Sequence, residues 1–296
     1  MKKEFRGIPS VDKILSDERV LHCESVYSRP TVLQTAREYL DEVRARLKDG
    51  GAVPSFDEVV DTVCGRVSSL ASARLRPVIN ATGVIVHTNI GRAPLSNEAV
   101  AAMEQCSRGY VNLEIDLDSG KRGSRQVHVE SLVCRLTGAE AALVVNNNAS
   151  AVLLALSAIA KRKEVIVSRG HAVEIGGGFR VPDVMRQSGA KLVEVGTTNR
   201  TYISDYEDAI TDRTAALLRV HSSNFKVVGF TESVGVSDMV ALGKRRGVSV
   251  LDDIGSGCLI DTTSFGLEYE PLVQDSIKDG VDLVMFSGDK LLGGPQ

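Results

Sequence analysis

The sequence lacks the features of three large classes of protein. No uninterrupted apolar run is long enough to span a membrane, and the opening MKKEFRGIPSVDK has no apolar core of signal-peptide length. The net charge of −3 provides no global positive field for nucleic acid, so RNA binding would depend on local basic patches. The five cysteines include no C-x-x-C pair, which argues against a zinc site and a disulfide framework. We therefore expect a cytoplasmic protein without a bound metal.

Residues 1–72 have the apolar spacing of helices. Ser28 stands at the N-cap position of the first long helix, Pro30 lies in its first turn, and the glycine pair that begins at Gly50 ends it. A second helix with an apolar face follows Ser55. The pattern predicts a small helical N-terminal domain, which serves either as a packing or oligomerisation element or as a recognition module.

Residues 73–296 change to short β-branched runs that alternate with helical segments. Continuous apolar strands separated by helices are typical of a mostly parallel sheet with both faces covered, so this part is predicted to be an α/β domain. The predicted strands lie in 141–148, 164–170, 191–199, 214–224, 248–257 and 281–290.

Polar side chains stand at the ends of five of these strands. They are Asn146–Asn148, Ser168–His171, Ser222–Asn224, Asp252–Asp253 and Ser287–Lys290. Ligands of open α/β sheets bind beyond the carboxyl ends of the strands, so five polar ends on one sheet predict a binding site.

The strand-to-helix junction at Asn146–Asn148 has the composition of an anion site. Small and amide side chains leave the N–H groups of the helix start free to bind a phosphate. The junction has neither the GxxxxGK[ST] nor the GxGxxG pattern, which argues against a nucleotide P-loop and a dinucleotide site. Plain helix capping by asparagine or serine is the alternative.

Two further strand ends carry charge. A carboxylate at the end of a buried strand needs a cationic partner such as a protonated heterocyclic nitrogen, and strand alternation turns only one of Asp252 and Asp253 toward the site. Gly255 and Gly257 allow a close approach. Desolvation of Lys290 would lower its pKa and make it a nucleophile for Schiff-base chemistry, whereas an exposed loop lysine is the alternative.

A phosphate nest, a buried acid and a strand-end lysine together fit one cofactor, pyridoxal 5′-phosphate. The nest would bind the phosphate, the acid the pyridinium nitrogen and the lysine the aldehyde, while the Ser287 hydroxyl suits a phosphate oxygen. The order of nest, acid and lysine is similar to that of the aspartate-aminotransferase-like (fold type I) enzymes.

Longer motifs resemble one family within that cofactor class, the bacterial L-seryl-tRNA(Sec) selenium transferases, or selenocysteine synthases. The resemblance runs from about residue 5 to the last residue. The motifs are INATGVIVHTNIGRAPLS (79–96), NLEIDLDSGKRGSR (112–125), VNNNASAVLLAL (145–156), SRGHAVEIGGGFRVPDVM (168–185), VGTTNRT (195–201), DDIGSG (252–257) and FSGDKLLGGPQ (286–296).

The resemblance implies a role for each candidate residue. Lys290 would be the covalent anchor and Cα base, and Asp253 would pair with the pyridinium nitrogen, with Asp252 as the second choice. Asp289 is a candidate for general acid help to the leaving hydroxide. Arg92 would bind the anionic selenium donor, and His171 stands where a ring-stacking group is expected. The residues expected at the phosphate are Asn147, Asn148, Ala149 and Ser287.

The resemblance also implies an activity and an assembly. The family converts seryl-tRNA(Sec) to selenocysteinyl-tRNA(Sec) by eliminating water and adding selenium from selenophosphate. Its N-terminal helical domain, here 1–72, would hold the tRNA, and its chains form a cytoplasmic homodecamer, a ring of five dimers. Family chains continue well beyond the lysine, so the cofactor domain over 73–296 is expected to be incomplete at its C-terminal end.

Two other functions remain open at this point. The first is a pyridoxal-phosphate-dependent lyase that acts on a small phosphorylated substrate, against which the helical residues 1–72 argue. The second is a non-catalytic cofactor-binding fragment, against which the complete set of nest, acid and lysine argues.

Overall fold

The computed structural model describes residues 7–72, 75–174, 180–223 and 225–296. Residues 175–179 of the motif SRGHAVEIGGGFRVPDVM, and Asn224 at the end of its predicted strand, lie outside the described residues. The chain separates into two units, Met1–Ile79 and Asn80–Gln296. The first is called the helical unit and the second the sheet unit.

The described part of the helical unit contains four helices around one apolar core. They are α1 (Val11–Leu15), α2 (Glu18–Tyr27), α3 (Arg29–Lys48) and α4 (Phe56–Ala71). The apolar stripes predicted for α3 and α4 supply most of the core, for example Val32, Leu40 and Val43 from α3. Burial of such stripes is what stabilises helices of this length in a protein.

The two long helices begin in different ways. Ser55 forms a capping box with Glu58: its Oγ accepts from the Glu58 N–H at 3.2 Å, and its own N–H donates to Glu58 Oε2 at 2.7 Å. Ser28 does occupy the N-cap position of α3, but its φ is 108° and its side chain accepts no capping hydrogen bond. Ser28 therefore occupies the predicted N-cap position but makes no capping hydrogen bond.

The sheet unit contains a five-stranded parallel sheet, which confirms the predicted α/β class. The strands are β1 (Glu164–Ser168), β2 (Lys191–Val195), β3 (Thr214–Val220), β4 (Ser249–Gly255) and β5 (Leu283–Phe286). Their spatial order is β2-β1-β3-β4-β5, and every described pairing is parallel. All their carboxyl ends therefore meet at one edge.

One predicted strand is wrong. Residues 141–147 form no strand in the structure, and they lead directly into α7 (Asn148–Ile159). The run Ala141–Val145 has strand composition but pairs with none of the five strands, so its β-propensity is not realised. The junction that was expected to join a strand to a helix joins an irregular segment to a helix.

Helices cover both faces of the sheet. On one face, α7 and α8 (Val181–Ser188) pack against a cluster that contains Leu218, Leu251 and Met285. On the other face, α9 (Ile203–Ala209) and α10 (Val236–Arg246) pack against Leu217 and Val250. Successive residues of β4 thus point to opposite faces, as strand geometry requires.

The remaining helices of the sheet unit are α5 (Asn97–Ser107), α6 (Val127–Thr137) and α11 (Val273–Asp279). α5 buries none of its side chains and α6 buries only Thr137. Large apolar side chains on both helices are exposed, among them Met103 and Leu132. This apolar surface lies on the part of the sheet unit that precedes the strands.

Among the residues that the structure describes, no helix is both long and apolar enough to cross a bilayer.

Candidate active site

Asp252 is held in a buried ion pair on the α10 face of the sheet. The Arg219 guanidinium binds both its oxygens, with Nε 2.7 Å from Oδ1 and Nη2 3.0 Å from Oδ2. The Ser276 hydroxyl of α11 donates to Oδ2 at 2.6 Å, and the Asp252 side chain is fully buried. This carboxylate is satisfied by protein groups and has a structural role in the sheet.

Asp253 points to the opposite face, toward the start of α7. It is 2% exposed, and its Oδ1 accepts a hydrogen bond of 2.7 Å from Asn148 Nδ2. Burial raises the pKa of Asp253 to about 6, although Asn148, Lys290 and His221 all favour its charged form. The carboxylate is thus buried without a direct cationic partner among the described residues, and it could receive one from a ligand.

Gly255 marks the point where three functional groups converge. Its φ is +69°, and a Cβ built there would lie 3.6 Å from Ser223 Oγ, 3.8 Å from Asp253 Oδ1 and 3.9 Å from Lys290 Nζ. The groups come from the ends of β3 and β4 and from the loop after β5. The sequence expectation that Gly255 permits a close approach agrees with this geometry.

Lys290 is half-buried in the loop that follows β5. Desolvation, followed by the charge of Arg92, lowers its pKa, while Asp253, Asp289 and Glu270 act in the opposite direction. The loop is held against the residue that follows β4, because the Leu291 N–H donates to the Ser256 carbonyl oxygen at 3.1 Å. A partly desolvated lysine in a fixed loop has the properties of a nucleophile.

Gly257 is required for steric reasons beside this loop. Its φ is +64°, and a Cβ at this position would lie 2.4 Å from the Ser287 carbonyl oxygen. We expect Gly257→Ala to destabilise the sheet unit by about 2 kcal/mol or more, since it adds a backbone clash to the cost of a left-handed residue. Urea unfolding measures the loss.

Gly266 supplies the matched control for that substitution. Its φ is +74°, and nothing lies within 4 Å of a Cβ built there. Gly266→Ala should therefore cost only the conformational part, about 1 kcal/mol. Equal losses for the two variants would show that the contact with Ser287 is not what restricts position 257.

Arg92 and Asp289 form an ion pair next to Lys290. Arg92 Nε lies 2.8 Å from Asp289 Oδ2, and both side chains are largely shielded from solvent. Their contact is a charge contact, because among the described residues Arg92 Nε has no partner with hydrogen-bond geometry. Arg92 has a φ of 61°, which is unusual for a residue other than glycine and indicates a constrained backbone at this position.

Asn147 and Asn148, at the start of α7, have different roles. Asn147 caps α7, because its Oδ1 accepts from the Ser150 N–H at 2.8 Å. Asn148 uses its side chain on Asp253 and not on a phosphate position, and Ala149 is the second residue of the helix. The first-turn N–H groups of a helix lack intrahelical partners, so Asn148 and Ala149 still offer backbone donors to an anion.

Ser287 follows β5 and is half-buried, with its carbonyl oxygen against Gly257. His171 ends a short 3₁₀ turn after β1 (Arg169–His171), where burial, followed by the charge of Arg219, lowers its pKa to about 4. The imidazole is therefore neutral near pH 7. Its Nδ1 lies 3.5 Å from the Val220 N–H, at the limit of a hydrogen bond.

Two polar residues of the site, His221 and Glu270, were not singled out from the sequence. His221 Nε2 lies 3.1 Å from Glu270 Oε1, and this hydrogen bond lowers the pKa of Glu270. Both residues line an open cleft of about 540 Å³ together with His171 and Ser223. The position of His221 directly before the predicted polar strand end Ser222–Asn224 was a usable signal, whereas Glu270 lies in a loop without a motif.

Comparisons with known proteins identify the family. The family model "L-seryl-tRNA selenium transferase" matches residues 78–296, and the model "Selenocysteine synthase N terminal" matches residues 5–44. The L-seryl-tRNA(Sec) selenium transferase of Geobacter sulfurreducens is 55% identical over 99% of this chain and 64% of its own length. That of Carboxydothermus hydrogenoformans is 54% identical over 100% of this chain and 64% of its own length.

A solved structure shows the fold. The chain is similar to "D-Glucosaminate-6-phosphate Ammonia-lyase", with a TM-score of 0.58 and 24% identity over 75% of this chain and 56% of that one. This likeness supports the aspartate-aminotransferase-like (fold type I) architecture. The chain spans about 64% of the length of the two curated relatives. By its matches to both family models, this chain belongs to the L-seryl-tRNA selenium transferase family.

Proposed function

We propose that this chain carries the cofactor site of a pyridoxal-phosphate-dependent enzyme that converts seryl-tRNA(Sec) to selenocysteinyl-tRNA(Sec) with selenophosphate as the selenium donor. The observation that carries the proposal is the convergence of Asp253 and Lys290 around Gly255. Asp253 is a buried acid with a raised pKa, and Lys290 is a lysine with a lowered pKa that faces the same space. Such a pair does not favour the stability of the fold and is typical of a functional site.

The donor set fits pyridoxal phosphate. Lys290 would bind its aldehyde, and Asp253 would face the ring nitrogen, whose positive charge it stabilises. The N–H groups at the start of α7, with Asn147, Asn148, Ala149 and Ser287, would surround the phosphate. His171, held neutral by burial, offers a flat ring for stacking. When bound, the cofactor supplies an electron sink for the charge left at the seryl Cα.

The other charged residues would handle protons and the selenium donor. Lys290, with its lowered pKa, would take the Cα proton of the seryl group. The Arg92 guanidinium would bind the anionic donor in competition with Asp289, its present partner at 2.8 Å. Asp289 would assist the departure of the hydroxyl group once Arg92 engages the donor. Each role follows from the charge and the position of one side chain, so a single substitution can test it.

The partners belong to the same proposal. The helical unit, of which residues 5–44 match the N-terminal family model, would hold the tRNA. Exposed apolar side chains on α5 and α6 support a homo-oligomer, for which the family resemblance implies a decamer of five dimers. The family resemblance likewise implies a cytoplasmic location.

Two binding measurements on this chain test the proposal. Titration with pyridoxal phosphate followed by borohydride reduction should attach the cofactor covalently, and a gel-shift assay should show preference for tRNA(Sec) over tRNA(Ser). Cofactor capture without tRNA preference would favour the small-molecule lyase. If neither occurs, the proposal for this chain is wrong.

A further inference from the structure

Asn148 stands where a phosphate contact was expected, yet its side chain is hydrogen-bonded to Asp253. Its Nδ2 donates to Asp253 Oδ1 at 2.7 Å, a contact between residues 105 positions apart in the sequence. The neighbouring Asn147 already caps α7 through its own side chain. The Asn148 side chain is thus not needed for the helix start and is available to bind the acid.

The fold brings these two groups together for a simple reason. Asp253 shares its face of β4 with Leu251, and that face is the one against which α7 packs. The first residue of α7 therefore lies over the carboxyl end of β4. Asn148, the first residue of α7, reaches Asp253 from this direction.

We propose that Asn148 is a positioning residue for Asp253: its amide orients the buried carboxylate and favours its ionised form, in place of a side-chain contact with phosphate. An amide N–H₂ is a donor only, so it binds a carboxylate and not a cation. Because Oδ1 is used by Asn148, Oδ2 is left for a ring N–H. This inference rests on the proposed function, since the ring nitrogen is that of pyridoxal phosphate.

The charged groups around Asp253 show why the hydrogen bond from Asn148 is important for its ionised form. Asp252, next to it on β4, disfavours a second negative charge, whereas Lys290 and His221 favour it more weakly than Asn148 does. Burial opposes the charge more strongly than any of them. A neutral amide donor stabilises the carboxylate without competing, as a protein cation would, with a cationic ligand.

Asn148→Ala in the chain without cofactor gives the first test. Thermal midpoints are measured from pH 5 to pH 8.5 in the Asp253 background and in the Asp253→Asn background. We expect the pH above which stability stops falling to rise by about one unit in the first background, and no such shift in the second. A uniform loss of stability at every pH in both backgrounds would show a merely structural role and overturn the proposal.

A comparison of two ligands gives the second test. Pyridoxal phosphate and pyridoxal, which lacks the phosphate, are titrated against the wild-type chain, Asn148→Ala and the control Asn97→Ala, which removes the exposed first asparagine of α5. We expect Asn148→Ala to weaken both ligands by a similar factor, about tenfold at pH 6.5. A loss for pyridoxal phosphate alone would assign Asn148 to the phosphate and overturn the proposal.

The outcomes separate this proposal from the proposed function. If the wild-type chain captures pyridoxal phosphate but neither the pH shift nor the equal loss is seen, only the role of Asn148 is wrong. If the wild-type chain captures neither ligand, the proposed function fails, and the pH profile without cofactor still decides whether Asn148 supports the Asp253 charge.

Discussion

Lys290→Ala is expected to abolish covalent capture of pyridoxal phosphate by this chain. Lys290 Nζ is the amine that approaches the space at Gly255, and desolvation lowers its pKa so that more of it is uncharged. Mass spectrometry after borohydride reduction should show the added cofactor in the wild-type chain and none in the variant.

Lys278→Ala serves as the control for that experiment. Lys278 lies in the last turn of α11 and is exposed. Its removal should leave capture unchanged, because Lys278 is not among the groups that converge at Gly255. Specific capture that persists in Lys290→Ala would contradict this assignment and place the cofactor at another lysine. Its loss in Lys278→Ala would identify that lysine as Lys278.

The adjacent acids Asp252 and Asp253 are expected to respond to the same substitution with opposite signs. Asp252→Asn should destabilise the sheet unit by about 3–5 kcal/mol, because it leaves the Arg219 guanidinium largely buried without its counter-charge. Asp253→Asn should stabilise the cofactor-free chain at pH 8, because it removes a carboxylate whose charged form burial disfavours. Urea unfolding at several pH values measures both effects.

The pH dependence for Asp253 follows from the direction of its pKa shift. The folded pKa of about 6 lies above the ordinary value of 3.8, so the folded chain binds more protons than the unfolded chain between these values. Stability from this group is fully present below about pH 4 and is lost as the pH rises through 6. The gain from Asp253→Asn should be about 3 kcal/mol at pH 8, roughly half of that at pH 5 and absent below pH 4.

The pair of variants also tests which acid faces the ligand. Asp253→Asn should weaken pyridoxal phosphate binding while the unfolding free energy rises at pH 8. Asp252→Asn should lower the unfolding free energy at every pH. A pH-independent effect of Asp253→Asn, or a stabilising effect of Asp252→Asn, would contradict the assignment.

The alternation of helices and strands could be predicted from the sequence because it depends on local patterns. Five of the six predicted strands form, and the parallel arrangement follows from apolar runs separated by helices. The sixth, over 141–148, could not be judged locally, because a strand needs a partner as well as β-propensity. Ser28 shows the same limit at a helix start, where a suitable residue makes no capping bond.

The residues of the site show the same difference between what local sequence patterns predict and what tertiary packing decides. The sequence by itself determined that a lysine and an acid pair stand at carboxyl ends of the sheet, because those positions follow from strand order and polar residue type. Only the tertiary structure decided that Asp253 and not Asp252 approaches Lys290. The reason is that the two faces of β4 become distinct when α7 covers one of them and Arg219 and Ser276 satisfy the other. The contacts Asn148–Asp253 and His221–Glu270 join distant segments, so packing and not pattern created them.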